Sequence, residues 1–209
     1  MPLQNRVDPA GEIHGVSARG IFTGNRGVIH DPDTKNLTGR RWTTKAWIIC
    51  RCDFKNRKRA VFGRNARNGG PGWTNLFFLD EVTALAAGHR PCFECRRAEA
   101  VAFADAFAGG LGLSTIKAAA IDAILHSQRL ATGNTARSLD ASDIAQLPDG
   151  TVITSDQLFL AKLNGAFRAW SFDGYGEIVP LPQTAALITP PAIVSTLRNG
   201  YRPVWHRTA

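Results

Sequence analysis

Hydrophobic and polar positions alternate with two different periods along the chain, and the change of period predicts its elements. Apolar residues recur at helical spacing in 82–86, in 96–107 and in 116–130, so three helices are expected there. The apolar run 47–50 and the short alternating runs after Gly150 are typical of strands. The predicted fold class is therefore α+β, with a hairpin in the N-terminal half, central helices and a C-terminal antiparallel meander.

Residues with known preferences for helix ends predict where several of these helices begin or end. Asp80 stands in the N-cap position of the first helix, and Gly88 can adopt the left-handed conformation that ends a helix. Ser114 is expected to cap the third helix. A last helix over 192–198 is predicted after Thr189, which serves as its cap.

The segment 41–62 is predicted to form the N-terminal hairpin. Basic residues 55–59 form its turn, and the apolar residues 60–62 begin its second strand. Alternation along the first strand places Cys50 and Cys52 on the same face. Both thiols can therefore reach one ion.

A polar segment, 131–149, separates the two kinds of pattern and is the expected linker. It divides the chain into region 1–130, with the cysteines and the helices, and region 150–209, which is rich in strands and ends in a helix and a strand. Asn-Gly and Asp-Gly pairs at 164–165 and 173–174 predict the turns of the meander. The chain has 209 residues, 44% of them hydrophobic, which is enough to bury a sizeable core.

Four cysteines fall in two close pairs, and their surroundings favour a metal site. Cys92 and Cys95 have the two-residue gap of zinc knuckles and lie in a polar turn, whereas Cys50 and Cys52 lie in the predicted strand. The first residues lack the apolar stretch of a signal peptide, so a reducing cytoplasm is expected and structural disulfides are not. One Zn²⁺ bound by all four cysteines is the prediction. Two alternatives stay open: His30, His89 or an acidic residue replaces one cysteine of the first pair, or no metal is bound.

Positive charge is high and unevenly distributed. The formal net charge is +8 and the pI is about 9.9, and eleven of the 25 Lys and Arg residues fall between Lys35 and Arg67. The glycine-rich, basic loop 63–73 is expected to order on a phosphate backbone. Aromatic residues are interleaved with these charges, as is typical of surfaces that bind nucleic acid: Trp42, Trp47, Phe54, Phe62 and Trp73. Every apolar run is too short to span a bilayer.

The sequence around the second cysteine pair resembles a known family. Residues 84–95 read Ala-Leu-Ala-Ala-Gly-His-Arg-Pro-Cys-Phe-Glu-Cys, which is similar to the second half of the N-terminal zinc domain of the Ada adaptive-response protein. That domain repairs methyl phosphotriesters in DNA. The resemblance covers about residues 45–97. His89 stands where the family has another aromatic residue, and the upstream cysteine pair is more closely spaced than the family's.

The resemblance implies roles for individual residues. It makes Cys50, Cys52, Cys92 and Cys95 the zinc ligands and assigns Arg90 to a phosphate oxygen. Cys50 would also stand where the family's methyl-accepting thiolate stands. A role in the DNA damage response or in DNA repair is likewise what the resemblance implies.

Charge, motif and resemblance together predict a zinc-containing protein that contacts the DNA phosphate backbone without reading its sequence. The residues expected to contact nucleic acid are Arg51, Lys55, Arg57, Lys58, Arg59, Arg64, Arg67, Arg90, Arg96 and Arg97. An alternative is a nuclease or DNA-repair enzyme in which His30, His89 or the carboxylates Asp31 and Asp33 perform acid–base chemistry near the zinc. Two further alternatives are an RNA-binding protein and a protein-interaction scaffold.

Overall fold

The computed structural model describes residues 2–56, 59–131 and 137–209, which form two six-stranded sheets and five helices. The strands are β1 (Arg6–Val7), β2 (Ile13–His14), β3 (Phe22–Asn25), β4 (Ile48–Arg51), β5 (Leu76–Phe78), β6 (Arg90–Pro91), β7 (Ser138–Asp140), β8 (Val152–Ser155), β9 (Leu158–Leu163), β10 (Ala166–Ser171), β11 (Gly174–Val179) and β12 (Thr184–Leu187). The helices are α1 (Glu81–Ala86), α2 (Arg97–Gly110), α3 (Ala118–Ala131), α4 (Ala141–Ala145) and α5 (Pro191–Arg198). The predicted α+β class is confirmed.

The first sheet has the strand order β2-β1-β5-β3-β4-β6. Its central strand β3 is antiparallel to both β4 and β5, and β4 runs parallel to β6. The predicted hairpin over 41–62 is wrong, because β4 pairs with strands that are distant in sequence and residues 60–62 form no strand. Phe62 has a φ of 52°, a left-handed conformation that a strand does not accommodate.

The second sheet contains the predicted C-terminal meander. Strands β8 to β11 are joined in order as antiparallel neighbours, and β12 and β7 extend the sheet beyond β8. Asn164 and Gly165 both have positive φ, 50° and 76°, as a two-residue hairpin turn between β9 and β10 requires. Part of the expected linker, residues 132–136, lies outside the described residues, and the rest contains β7 and α4.

Both ends of helix α1 follow the sequence prediction. The Asp80 carboxylate accepts a hydrogen bond from the Thr83 amide at 2.9 Å, which satisfies one of the free donors of the first turn. Gly88 has a φ of 81°, and a Cβ atom there would lie 2.7 Å from Cγ of Arg129. Glycine is therefore needed after the helix both for its conformation and for its lack of a side chain.

Two predicted caps are wrong. Ser114 lies outside helix α3, whose first residue is Ala118. At α5 the cap position is occupied by Pro190 rather than Thr189, and the Thr189 hydroxyl accepts a hydrogen bond from the Val152 amide at 2.8 Å. Thr189 thus ties the start of α5 to the second sheet instead of capping the helix.

Hydrophobic packing crosses the predicted boundary between the two regions. One core cluster packs Leu85 and Phe103 with Ile193 and Leu197 of α5. A second cluster packs Val82 of α1 against residues of the meander. Helix α1, which leads into the Cys-x-x-Cys turn, therefore contacts hydrophobic residues from both regions. Within the described ranges, no helix combines the length and the apolar character that crossing a membrane requires.

Candidate metal centre and adjoining cleft

Three cysteine thiols converge where the first sheet meets α2. Cys50 lies in β4, and Cys92 and Cys95 lie in the turn between β6 and α2. The parallel pairing of β4 with β6 brings them together, because the Cys92 amide donates to the Ile49 carbonyl at 3.0 Å. The three Sγ atoms lie within 4.8 Å of one another, and the Glu94 amide lies 3.4 Å from Sγ of Cys92. This group could hold a metal ion such as zinc.

The proximity of the thiols changes their pKa values in opposite directions. Hydrogen bonds with the thiols of Cys50 and Cys95 lower the pKa of Cys92. The pKa of Cys50 is raised, chiefly by its hydrogen bonds with Cys92 and Cys95 and then by burial. One thiolate is thus stabilised by two neighbouring thiols. A cation between the sulfurs would favour the ionised form of each, and thiolates are the soft ligands that suit a zinc ion.

Cys52 does not join this group. Strand β4 ends at Arg51, so the alternation that would have placed Cys52 beside Cys50 stops one residue too early. The Cys52 thiol is exposed and makes a weak contact with the Ile21 carbonyl at 3.6 Å. Of the four cysteines predicted to bind zinc, the structure brings Cys50, Cys92 and Cys95 together, and within the described residues Cys52 lies outside that group.

His89, one of the two histidines considered for acid–base chemistry, is fully enclosed. Its ring lies 5.0 Å from that of Trp47 and 4.7 Å from that of Phe78. Burial, and then the neighbouring Arg26 and Arg129 guanidiniums, hold the pKa of His89 well below its usual value. Both guanidiniums also lie over the Trp47 ring, at 4.0 Å and 4.1 Å from its centroid. His89 is thus a neutral core residue, packed in a cluster whose members are far apart in sequence.

His30 also has a packing role. Its ring stacks on Phe62 at 4.8 Å, and its Nδ1 lies 2.7 Å from the Thr74 hydroxyl. Asp31 accepts hydrogen bonds from backbone amides of its own loop, including that of Asp33 at 2.8 Å. Neither the histidine nor these carboxylates belong to a metal-binding group within the described part of the chain.

Two of the arginines predicted to contact nucleic acid are buried in ion pairs. Arg90 donates two hydrogen bonds of 2.8 Å to Asp122, and Arg96 donates two of 2.8 Å to Glu81. Arg90 is 6% exposed and Arg96 is 1% exposed. Because their donors face carboxylates inside the protein, neither guanidinium is available to a phosphate at the surface, and we no longer assign them to nucleic acid.

The other eight basic residues predicted to contact nucleic acid fall into two groups, those that the structure describes and those that lie outside the described residues. Arg57 and Lys58 lie outside the described residues. Two of the remaining guanidiniums form surface ion pairs, Arg51 with Glu99 at 3.3 Å and Arg64 with Asp33 at 2.6 Å, which are weak enough to be exchanged for a phosphate. The residues of this set that are exposed are Arg51, Lys55, Arg59, Arg64, Arg67 and Arg97.

A cleft of about 480 Å³ opens beside the three converging cysteines, and Cys50, Cys52, Cys92 and Cys95 all contribute to its wall. Further lining residues are Arg51, Phe54, Arg59, Trp73, Asn75 and Phe77. Trp73 is 52% exposed, so a large apolar ring faces solvent at a basic cleft. Of these residues, Asn75 had no recognisable signal in the sequence, because the cleft that it lines is formed by segments that are distant in sequence.

Comparison with protein-family models, with curated proteins and with solved structures finds no significant match to this chain. The resemblance to the Ada zinc domain therefore stays a prediction based on the residues around the two cysteine pairs.

Proposed function

We propose that this protein binds zinc through Cys50, Cys92 and Cys95 and binds DNA along the cleft beside them. The observation that supports the proposal is the convergence of three thiols, basic side chains and an exposed tryptophan on one cleft. The net charge of +8 adds long-range attraction to a polyanion. In this proposal Arg51 and Arg59 contact phosphate oxygens, and the metal fixes the wall that carries Arg51.

The experiment measures metal content together with binding of a fluorescein-labelled DNA duplex, before and after chelation. We expect one zinc per chain and a loss of DNA affinity when the metal is removed. Arg59→Ala should weaken binding of the duplex. It should also make the slope of log affinity against log salt concentration shallower by the amount that about one phosphate contact contributes. Arg137→Ala is the matched control, because Arg137 is exposed but lies away from this cleft. Equal losses for both variants would contradict the assignment of the cleft.

A second candidate function is favoured by the number of converging cysteines. Structural zinc sites usually have four protein ligands, whereas reactive sites keep one position for water or substrate. The converging set of three thiols corresponds to the second arrangement, and Cys52 lines the same cleft but lies outside that set. The candidate is a repair enzyme in which the Cys50 thiolate, whose ionised form a bound zinc ion would stabilise, attacks the methyl group of a methyl phosphotriester. An S–CH₃ bond would form, the O–CH₃ bond would break, and a phosphodiester anion would leave.

Intact-mass analysis after incubation with methyl-phosphotriester DNA tests this candidate. Transfer predicts one added methyl group in the wild type and none in Cys50→Ser. Cys52→Ser should still accept the methyl group, because the Cys52 thiol lies outside the converging set. An unchanged mass for the wild-type protein would exclude methyl transfer while leaving DNA binding to be judged by the titration.

A further inference from the structure

The cleft beside the cysteines has a polar wall as well as basic and aromatic ones. Thr23, Asn25, Thr74 and Asn75 all line it. The Asn75 Oδ1 atom is buried and has no hydrogen-bond partner among the residues that the structure describes. A buried amide oxygen without a donor is unfavourable, so a ligand with an N–H group at this position would be stabilised.

The cleft presents one exposed aromatic ring, that of Trp73. Trp73 is half exposed, and Phe77 lies in the same cleft with the Arg6 guanidinium 4.9 Å from its ring centroid. An exposed indole in a concave basic surface is typical of a stacking platform for a nucleobase. Asparagine side chains are well suited to pair with the donor and acceptor edge of a base.

The dimensions of the cleft restrict what it can bind. Its volume of about 480 Å³ lies within the usual range for small-molecule sites, about 300–1,000 Å³. Such a space accommodates a nucleotide, but it is too small to enclose a base-paired duplex. A base could therefore enter only if it left the stack of the double helix.

We propose that the cleft binds one unpaired nucleotide, with its base stacked on Trp73, its polar edge at Asn75 and its phosphate at Arg51 and Arg59. This inference rests on the proposed binding of DNA and adds the class of substrate. It places the bound nucleotide beside the three-cysteine group. DNA with an extrahelical nucleotide or with single-stranded character should therefore bind better than a fully paired duplex, because no base has to be unstacked.

The test compares three labelled DNAs by fluorescence anisotropy with the zinc-loaded 209-residue chain: a paired duplex, the same duplex with one extrahelical nucleotide, and the single strand. We expect the last two to bind about tenfold more tightly than the paired duplex. Trp73→Leu should remove about tenfold of that affinity, whereas Trp73→Phe should retain most of it because an aromatic face remains. Ile178→Ala, at another exposed apolar position outside the cleft, is the control.

The outcomes of this test distinguish failure of the nucleotide-binding cleft from failure of DNA binding. Equal affinity for all three DNAs with no effect of Trp73→Leu would overturn this inference and leave binding to the phosphate backbone intact. Titration with free dAMP shows whether the cleft binds a free nucleotide or only a nucleotide that is part of DNA. Binding of dAMP that depends on Trp73, without binding of any DNA, would support the nucleotide cleft and contradict DNA as the partner. Absence of binding to every DNA and to dAMP would overturn both proposals.

Discussion

Arg96 shows how burial decides the role of a basic residue. Its guanidinium and the Glu81 carboxylate are both buried and share two hydrogen bonds. We expect Arg96→Met to cost about 3–5 kcal/mol in the free energy of unfolding, because the Glu81 charge is left buried without its cation. Urea unfolding at neutral pH measures this cost. Arg97→Met, at the exposed neighbouring residue, should change stability by less than about 0.5 kcal/mol. Similar effects of the two substitutions would contradict the buried ion pair.

His89 predicts a pH dependence of stability. Its pKa in the folded protein is well below the ordinary value of 6.5, first because of burial and then because of Arg26. Below about pH 6.5 the unfolded chain binds a proton that the folded chain does not, so the free energy of unfolding falls as the pH falls, by up to about 1.4 kcal/mol per pH unit.

Unfolding of the wild type and of His89→Phe across this pH range tests the prediction, since contributions common to both proteins cancel. The stability of the wild type relative to His89→Phe should decrease as the pH falls from about 7.5 to about 5. Phenylalanine can preserve the ring contacts with Trp47 and Phe78. A stability difference that does not change with pH would show that His89 is protonated equally in both states.

At this scale the sequence identified the cysteines of the candidate metal centre better than it identified their surroundings. Cys92 and Cys95 were recognisable from their spacing, and Cys50 from its place in an apolar strand. The burial of Arg96 was not recognisable, because Glu81 lies 15 residues away and the pair forms only when α1 and the start of α2 pack together. Exclusion of Cys52 depends on where β4 ends, which hydrophobic alternation does not specify.

The elements that carry the cysteines predict how metal binding affects stability. β6 has only two residues, and the turn to α2 is connected to β4 through the pairing beside Ile49. Zinc bound across β4 and this turn should therefore stabilise the fold. At free zinc about 100 times the dissociation constant, the free energy of unfolding should rise by about 2.7 kcal/mol.

Thermal unfolding with zinc and with a chelator checks this for three proteins. The wild type and Cys52→Ser should show the same increase, whereas Cys92→Ser should lose it. This comparison separates a site of three cysteines from one of four. Loss of the increase in Cys52→Ser would mean that Cys52 contributes a ligand when the metal is bound.

Elements with local signals were predicted, and elements that depend on distant partners were not. Helix α1 has both of its end signals within its own segment, and the turn between β9 and β10 has an Asn-Gly pair. The strand pairs of β4 are different, because β3 lies more than 20 residues before it and β6 about 40 residues after it. Hydrophobic alternation indicates that a segment is extended, but it does not specify its neighbours in the sheet.

In the whole molecule, two consecutive carboxylates at the start of α1 hold the C-terminal residues in place. Asp80 accepts hydrogen bonds from the Tyr175 hydroxyl at 2.8 Å and from the His206 amide at 3.0 Å. Glu81 accepts from the Tyr201 hydroxyl at 2.7 Å and from the Val204 amide at 2.9 Å. These polar contacts accompany the packing of α1 against the meander, so the cysteine-bearing part and the C-terminal part share one buried interior.

This shared interior predicts that both parts of the chain unfold in a single transition. The absorption of Co²⁺ bound by the cysteines would report on the first sheet, and far-UV circular dichroism would report on the helices and the meander. Their urea midpoints should coincide, because separating the two parts exposes hydrophobic residues of both and breaks the hydrogen bonds that Asp80 and Glu81 accept from the C-terminal part. Tyr175→Phe removes the hydroxyl that donates to Asp80, and should lower the free energy of unfolding by about 1–3 kcal/mol. Both urea midpoints should therefore fall together. If the dichroism changed first while the Co²⁺ absorption persisted, regions 1–130 and 150–209 would be separate folding units, and α1 would then join two domains that are stable on their own.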